Sequence, residues 1–129
     1  ILLQAGTDVT IVATGHLVWE ALEAAKELAA QNISAEVINI HTIKPLDEEI
    51  ILNSIQKTKC LVRAEEHNYL GGMGESIAGL LAKKHPCPME FVATQDTFGE
   101  SGTPAQLMNK YGLNKEAIVK KALAVKSRT

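Results

Sequence analysis

Residues 65–76 combine the residue types that chemistry uses with a turn that could present them. Two carboxylates and a histidine are followed by three glycines: Glu65, Glu66, His67, Gly71, Gly72 and Gly74. A histidine can carry a proton or bind a metal ion near neutral pH. Glycines let the backbone adopt φ > 0 and let other groups approach closely. This stretch is therefore the first candidate for a functional site.

The sequence on either side of this stretch predicts a strand that leads into it and a helix that leaves it. Residues 60–64 are mostly apolar and bounded by polar residues, which is typical of a buried strand. Beyond the glycines, apolar residues recur at helical spacing at Ile77, Leu80 and Leu81, and the helix should end at residues 83–86. Ligands and partners collect at the carboxyl ends of strands in open α/β sheets, and a helix start offers N–H groups to an anion.

The glycines also have a purely structural interpretation, as the geometry of a strand-to-helix turn. Their spacing does not match Gly-x-Gly-x-x-Gly, and no Gly-Lys-Ser/Thr follows, so a free-standing nucleotide or anion binder is only weakly indicated. In the structural interpretation we expect at least one of Gly71, Gly72 and Gly74 to have φ > 0. Replacing that glycine by Val should then cost about 1–3 kcal/mol of stability through backbone strain.

Three histidines, His16, His41 and His67, each follow a predicted strand. In a parallel sheet they would lie along one edge, which makes a metal or acid–base site a hypothesis. The acidic residues that could join them are Glu65, Glu66, Asp96 and Glu100. The alternative is three separate loop histidines bonded to backbone or solvent. Spacings such as His-x-x-x-His are absent, and no serine stands in a nucleophile elbow, so the residues alone indicate no complete active site.

The rest of the chain predicts strands that alternate with helices. Besides residues 60–64, the predicted strands are residues 1–4, 9–13, 35–40 and 90–93. The run at 9–13 is β-branched and almost entirely apolar, as expected for a strand covered on both faces. Alternating strands and helices indicate an α/β sandwich with a mainly parallel sheet.

The first helix should follow Gly15 and end near Asn32, with Glu20, Glu23 and Glu27 facing away from an apolar stripe. The stripe consists of Val18, Ala21, Leu22, Ala25, Leu28 and Ala29.

Capping residues predict the other helix starts. Asp47 is a good N-cap for the second helix. Near the end of the chain, residues 103–106 form a Thr-x-x-Gln capping box with Pro at the first helical position. This box should begin a short helix that ends at residues 111–112, and Asn114 should then cap a separate last helix.

Length and composition narrow the class of protein. The chain has 129 residues and a formal net charge of −2, which fits one domain, residues 1–129, and does not suggest a nucleic-acid partner. No apolar run approaches the ~20 residues that span a bilayer, and no secretory signal is recognisable. Cys60 and Cys87 make neither a disulfide framework nor a metal spacing, so reduced thiols in a cytoplasmic protein are expected. Because the sequence begins at Ile1, we expect a domain of a longer protein.

Four stretches, in this order and spacing, resemble the C-terminal domain of transketolase. They are residues 42–47 with Lys44-Pro45-Leu46-Asp47, residues 65–75 with Gly71-Gly72-Met73-Gly74, residues 98–107 with Phe98-Gly99-Glu100-Ser101-Gly102, and residues 111–113 with Ile118. The resemblance covers nearly the whole chain. The stretch from Phe98 is most similar to transketolase, especially to forms encoded as two separate chains.

The resemblance implies a three-layer α/β/α domain with a five-strand, mostly parallel sheet whose first strand is antiparallel. It also implies an enzyme that moves two-carbon ketol units between sugar phosphates with thiamine diphosphate and a divalent metal. In this family both are bound by preceding domains or by a separate N-terminal subunit. Their marks, a Gly-Asp-Gly run ending in Asn-Asn and an activating glutamate, are missing here, so no catalytic, cofactor-binding or metal-binding residue carries over. The implied role is to pack on neighbouring domains and support a homodimer.

Within that role, one set of residues is a candidate structural or regulatory loop region: Glu66, His67, Gly71, Gly72, Gly74, Ser101 and Gly102. The beta subunits of 2-oxoacid dehydrogenases and deoxyxylulose-phosphate synthase carry a similar domain. The alternative function is therefore a partner-docking C-terminal domain of one of those enzymes.

Overall fold

The computed structural model describes residues 1–15, 17–40, 47–66, 73–94 and 104–129; for residues 66, 73–76, 93–94 and 104–114 it describes the backbone alone. In chain order the elements of these ranges are β1 (Leu2–Gln4), β2 (Val9–Ala13), α1 (Leu17–Ala30), β3 (Ala35–Asn39), α2 (Glu48–Thr58), β4 (Leu61–Glu66), α3 (Met73–Lys84), β5 (Met89–Thr94) and α4 (Pro104–Lys126). Among the helices in these ranges, none has the length and apolarity that crossing a membrane requires.

The strands form one sheet with the order β1-β3-β2-β4-β5. β1 runs antiparallel to β3, and the other neighbouring pairs are parallel. β2 is the central strand, and all five of its residues are buried. These findings confirm the expected five-strand, mostly parallel sheet with an antiparallel first strand. They also confirm that residues 9–13 form a strand covered on both faces.

Helices cover both faces of the sheet, so the domain has three layers. α1 and α4 pack on one face, around strand residues such as Ile11 and Val62. α2 and α3 pack on the other face, around Val12 and Ile38. Because successive strand residues point to opposite faces, the neighbours Ile11 and Val12 belong to different cores.

Local sequence signals set several helix ends as predicted. Asp47 caps α2, since its Oδ1 accepts a hydrogen bond from the Ile50 N–H at 3.3 Å. Lys59 then closes α2 with a left-handed φ of 65°, and Asn32 follows the end of α1 with the same value. Both are cap conformations that satisfy the last carbonyls of a helix. α3 ends at Lys84, within the range that the sequence indicated.

Two features of α1 differ from the sequence prediction. Glu20 was expected to face away from the core, but it is buried and only 1 % exposed, whereas Ala29 is exposed. The buried stripe begins at Leu17 and includes Ala24. Glu20 lies three residues after Leu17 and four before Ala24, so it falls inside that stripe. Its place in the first turn, near the positive end of the helix dipole, favours a carboxylate there.

The end of the chain also differs from the prediction. Instead of a short helix and a separate last helix, α4 is one continuous helix of 23 residues, and Gly112 and Asn114 lie inside it. A glycine within a helix costs about 1 kcal/mol relative to Ala, which is a weak stop signal. The burial of Ile118, Ala122 and Val125 against the sheet stabilises the helix beyond this point.

Candidate functional site

The carboxyl ends of the parallel strands lie at one edge of the sheet, and residues 65–76 begin at this edge. β4 ends beside β2, because the Thr14 N–H donates to the Ala64 carbonyl at 3.2 Å. β2 then turns into α1 through Gly15, whose φ of 57° lies in the left-handed region that favours glycine. Thr14 is buried where these two strands end. This edge is where open α/β sheets bind ligands and partners.

A partly buried ion pair lies just below this edge. The Arg63 Nη1 donates to the Glu65 Oε1 at 3.2 Å, and the Glu65 side chain is fully buried. The two residues are two apart in β4, so their side chains lie on the same face of the sheet, the face of α2 and α3. Phe91 is the β5 residue in register with Arg63, and the guanidinium carbon lies 4.2 Å from the centre of its ring. The cation is therefore held by a carboxylate and an aromatic face.

These contacts are suited to holding the end of β4 in place. The Arg63 side chain is 18 % exposed, and its buried Nε has no hydrogen-bond partner among the described residues. Removing Arg63 would take one partner from the fully buried Glu65 carboxylate, which is unfavourable because a buried charge depends on its polar partners. The ion pair lies within β4, and the contact of Arg63 with Phe91 joins that strand to β5 where residues 65–76 begin.

Only part of the predicted site lies within the described residues. Glu66 is the last residue of β4, and Gly74 lies in the first turn of α3. The other members lie outside the described residues: His67, Gly71, Gly72, Ser101 and Gly102. The expectation of a left-handed glycine at position 71 or 72 therefore stays a prediction.

The histidine hypothesis is likewise untested, because His16, His41 and His67 lie outside the described residues together with Asp96 and Glu100. In the described ranges alone, no three His, Cys, Asp or Glu residues are grouped so that they could hold a metal ion.

Three buried hydroxyls form a second polar cluster, near the amino end of β2. The Thr10 Oγ1 lies 2.6 Å from the Ser54 Oγ and 2.6 Å from the Thr58 Oγ1. The Thr58 hydroxyl also donates to the Cys60 carbonyl at 3.1 Å. The cluster fixes α2 on the central strand by hydrogen bonds. We call it the hydroxyl cluster.

Glu36 forms a third buried polar site beside the hydroxyl cluster. Its Oε1 accepts from the Lys57 Nζ at 2.5 Å and from the Gly6 N–H at 3.1 Å. Burial by itself would raise the pKa of Glu36, but the hydrogen bonds from Lys57, Ser54 and Gly6 outweigh it and lower that pKa below its ordinary value. Glu36 is thus an ionised acceptor that joins β3, α2 and the turn after β1.

Neither cysteine has the environment of a reactive thiol. Burial raises the pKa of the Cys60 thiol to about 11, and burial also raises the pKa of Cys87. Both are free cysteines. A thiol with a raised pKa is protonated near neutral pH and is a poor nucleophile. The thiols therefore contribute packing.

Sequence reasoning missed the buried polar residues Thr10 and Glu36 and the partly buried Arg63. Each stands in an otherwise apolar strand pattern, and a charge at such a position is rarely buried without a partner. A polar residue within an apolar strand pattern was therefore the signal from which a buried polar contact could have been predicted. It could not name the partners, because Thr10 lies 44 residues from Ser54 and 48 from Thr58 along the chain.

In the part of the chain that the structure describes, large apolar side chains are exposed on α1 and at the edge of the sheet. Trp19, on the first turn of α1, is 62 % exposed. At the edge of the sheet, Ile1, Leu2 and Leu3 are also exposed. Beside this edge strand lies an open cavity of about 320 Å³, lined by Gln4, Ala29, Asn32, Ile33, Ser34 and Ala35. Exposed large apolar residues that cluster are typical of surfaces that contact another chain or domain.

The fold and its carboxyl edge define a three-layer α/β domain of the transketolase C-terminal type. The family model described as "Transketolase, C-terminal domain" matches residues 1–118. The chain belongs to this family, which confirms the resemblance drawn from the four stretches.

Several known proteins are similar to nearly the whole chain. It is 48 % identical over 127 residues to the 6-deoxy-6-sulfo-D-fructose transketolase subunit of Clostridium sp. (strain MSTE9), covering 98 % of this chain and 39 % of that protein. It is 35 % identical over 128 residues to 1-deoxy-D-xylulose-5-phosphate synthase of Desulforudis audaxviator, covering 98 % of this chain and 20 % of that enzyme. A solved structure described as a split gene transketolase, an inactive beta4 tetramer, superposes with a TM-score of 0.83 at 41 % identity, covering 98 % of this chain and 42 % of that one. The chain thus spans well under half the length of the proteins that it matches.

Proposed function

We propose that this chain is the C-terminal domain of a thiamine-diphosphate-dependent transketolase, which transfers two-carbon ketol units between sugar phosphates. The observation that carries the proposal is the 48 % identity, over 98 % of the chain, to a subunit named as a transketolase. Because this chain corresponds to only 39 % of that subunit, the rest of the enzyme is supplied by other domains or by another chain.

In this proposal, thiamine diphosphate and the divalent metal are bound by the preceding domains or by a separate N-terminal subunit. When bound, thiamine diphosphate supplies the stabilised carbanion that ketol transfer needs. The residues of this chain bind and orient neighbouring parts of the enzyme. The Arg63–Glu65 pair, backed by Phe91, holds the end of β4 and so supports the stretch from Glu66 to Gly74.

We further propose that the domain supports a homodimer and that Trp19 becomes buried on assembly. Trp19 is 62 % exposed at the start of a helix whose other face forms the core. A large aromatic side chain in that position is typical of interface residues that dominate binding free energy. Leu123, which is 37 % exposed on α4, offers a matched surface control.

The chain has a single tryptophan, so its fluorescence reports on one position. We expect the emission of Trp19 to shift to shorter wavelength as protein concentration drives assembly. The Trp19→Ala variant should associate at least tenfold more weakly in sedimentation experiments, and Leu123→Ala should associate as the parent does. Equal association of all three proteins would rule out Trp19 as an interface residue.

The substrate that we propose is a ketose with an anionic group at the end away from the carbonyl, a phosphate or a sulfonate. The relatives support this class, since one is named for 6-deoxy-6-sulfo-D-fructose and another for apulose 4-phosphate. The test combines the chain with its thiamine-binding domain or subunit and measures ketol transfer to an aldose phosphate from each ketose in turn.

The isolated chain should be inactive in the same assay with thiamine diphosphate and Mg²⁺ added. Adding the thiamine-binding part should restore transfer. Turnover by the isolated chain above background would show that it holds a catalytic site, and the assembly role would then be incomplete.

A second candidate function is 1-deoxy-D-xylulose-5-phosphate synthesis, because enzymes with that name are 35–39 % identical to this chain. The product separates the two candidates. Given pyruvate and a triose phosphate, the assembled enzyme should form no 1-deoxy-D-xylulose 5-phosphate by mass spectrometry if it is a transketolase. Formation of that product, with no ketol transfer between sugars, would reverse the assignment.

We place the enzyme in the cytoplasm, and the two free cysteines support a reducing compartment.

The alternative docking role, that of the beta subunits of 2-oxoacid dehydrogenases, can be tested directly. Stoichiometric capture of the chain by an acyltransferase subunit-binding domain would favour that role over transketolase.

A further inference from the structure

We draw no further inference here: the strongest candidate, the exposed apolar surface of edge strand β1 together with the open cavity of about 320 Å³ beside the end of α1, carries nothing further because nothing in the structure shows what covers it.

Discussion

The two faces of the sheet are packed in chemically different ways. On the face of α1 and α4, the buried side chains other than Glu20 of α1 are mainly apolar and rich in alanine: Ala13, Ala21, Ala24, Ala25, Ala35, Ala64 and Ala122. On the face of α2 and α3, isoleucines and leucines share the interior with the hydroxyl cluster and with the carboxylates of Glu36 and Glu65. The first face depends mainly on shape, whereas the second also depends on hydrogen bonds.

This difference indicates how each face should respond to mutation. Small side chains let α1 and α4 approach the sheet closely, so the packing is sensitive to any lost or added volume. On the other face, the loss of one polar partner leaves another buried group unsatisfied. The polar groups also lie at both ends of the sheet: Thr10 and Glu36 toward the amino ends of the strands, and Arg63 and Glu65 toward the carboxyl ends.

The largest effect should come from a cavity in the apolar face. Ile11 is fully buried in the central strand, and we expect Ile11→Ala to lower the free energy of unfolding by about 2–5 kcal/mol. Urea denaturation measures the change, and Ile38→Ala provides the same truncation on the opposite face. A loss well under 1 kcal/mol for Ile11→Ala would show that the alanine-rich face is loosely packed.

The next effect should come from adding one methyl group where the turn after β1 nearly touches the backbone of β3. A Cβ on Gly6 would lie 2.2 Å from the Ala35 carbonyl carbon and 2.4 Å from the Glu36 nitrogen. These are backbone atoms, so the turn after β1 must shift, and Gly6→Ala should cost about 1–3 kcal/mol.

Gly79 provides the matched control for Gly6. A Cβ there meets none of the described residues within 4 Å, and Gly79 lies inside α3. Gly79→Ala should therefore stabilise the protein by about 0.5–1 kcal/mol, because alanine loses less backbone entropy in a helix. Thermal melts of the two variants should move in opposite directions. A stable Gly6→Ala variant would mean that the β1 turn can move away from β3 freely.

The hydroxyl cluster tests whether the polar face depends on pairing. Thr10→Val keeps the shape of the side chain but leaves the Ser54 and Thr58 hydroxyls without their shared partner, so it should cost about 1–3 kcal/mol. Adding Thr58→Val should recover part of this loss, because the Cys60 carbonyl still accepts from the Thr10 N–H and the Ser54 hydroxyl still bonds Glu36. A double variant whose losses simply add would show that the two hydroxyls act independently.

The smallest effect concerns acid stability. The folded-state pKa of Glu36 is below its ordinary value of 4.5, so the unfolded chain takes up the proton more readily. The contribution of Glu36 to stability is therefore complete above the ordinary value and is lost as the pH falls through the folded pKa. Urea titrations from pH 7 down to pH 3 should show this loss in the parent, and a shallower one in Glu36→Gln. Parallel curves would mean that the Lys57 and Gly6 contacts do not depend on the charge.

Local features were predictable because their causes lie within a few residues. The Asp47 cap is an example, since its oxygen bonds the N–H three residues ahead. The β-branched, apolar run of β2 also predicted a strand covered on both faces. Glu20 and α4 were wrongly predicted for a related reason: charge and glycine are weak local signals, and burial against the sheet outweighs them.

The candidate site likewise has a part that the sequence predicted and a part that it could not predict. The position of Glu65 and Glu66 at the end of a strand follows from the sequence pattern, and the structure places them at the carboxyl edge. The partner of Arg63 across the sheet, Phe91, depends on which strand lies beside β4 and in what register. Neither is encoded in local spacing, because register is set by packing over the whole sheet.

By itself, the sequence determined the order of most elements, the Asp47 cap, the alternation of strands and helices, and the membership of the transketolase C-terminal family. Tertiary structure alone decided that β2 is central, which side chains share a face, and which polar groups are paired. The physical reason is distance along the chain. Contacts between residues 30 to 50 positions apart, such as Gly6 with Glu36 and Thr10 with Thr58, exist only once burial has brought the strands and helices together.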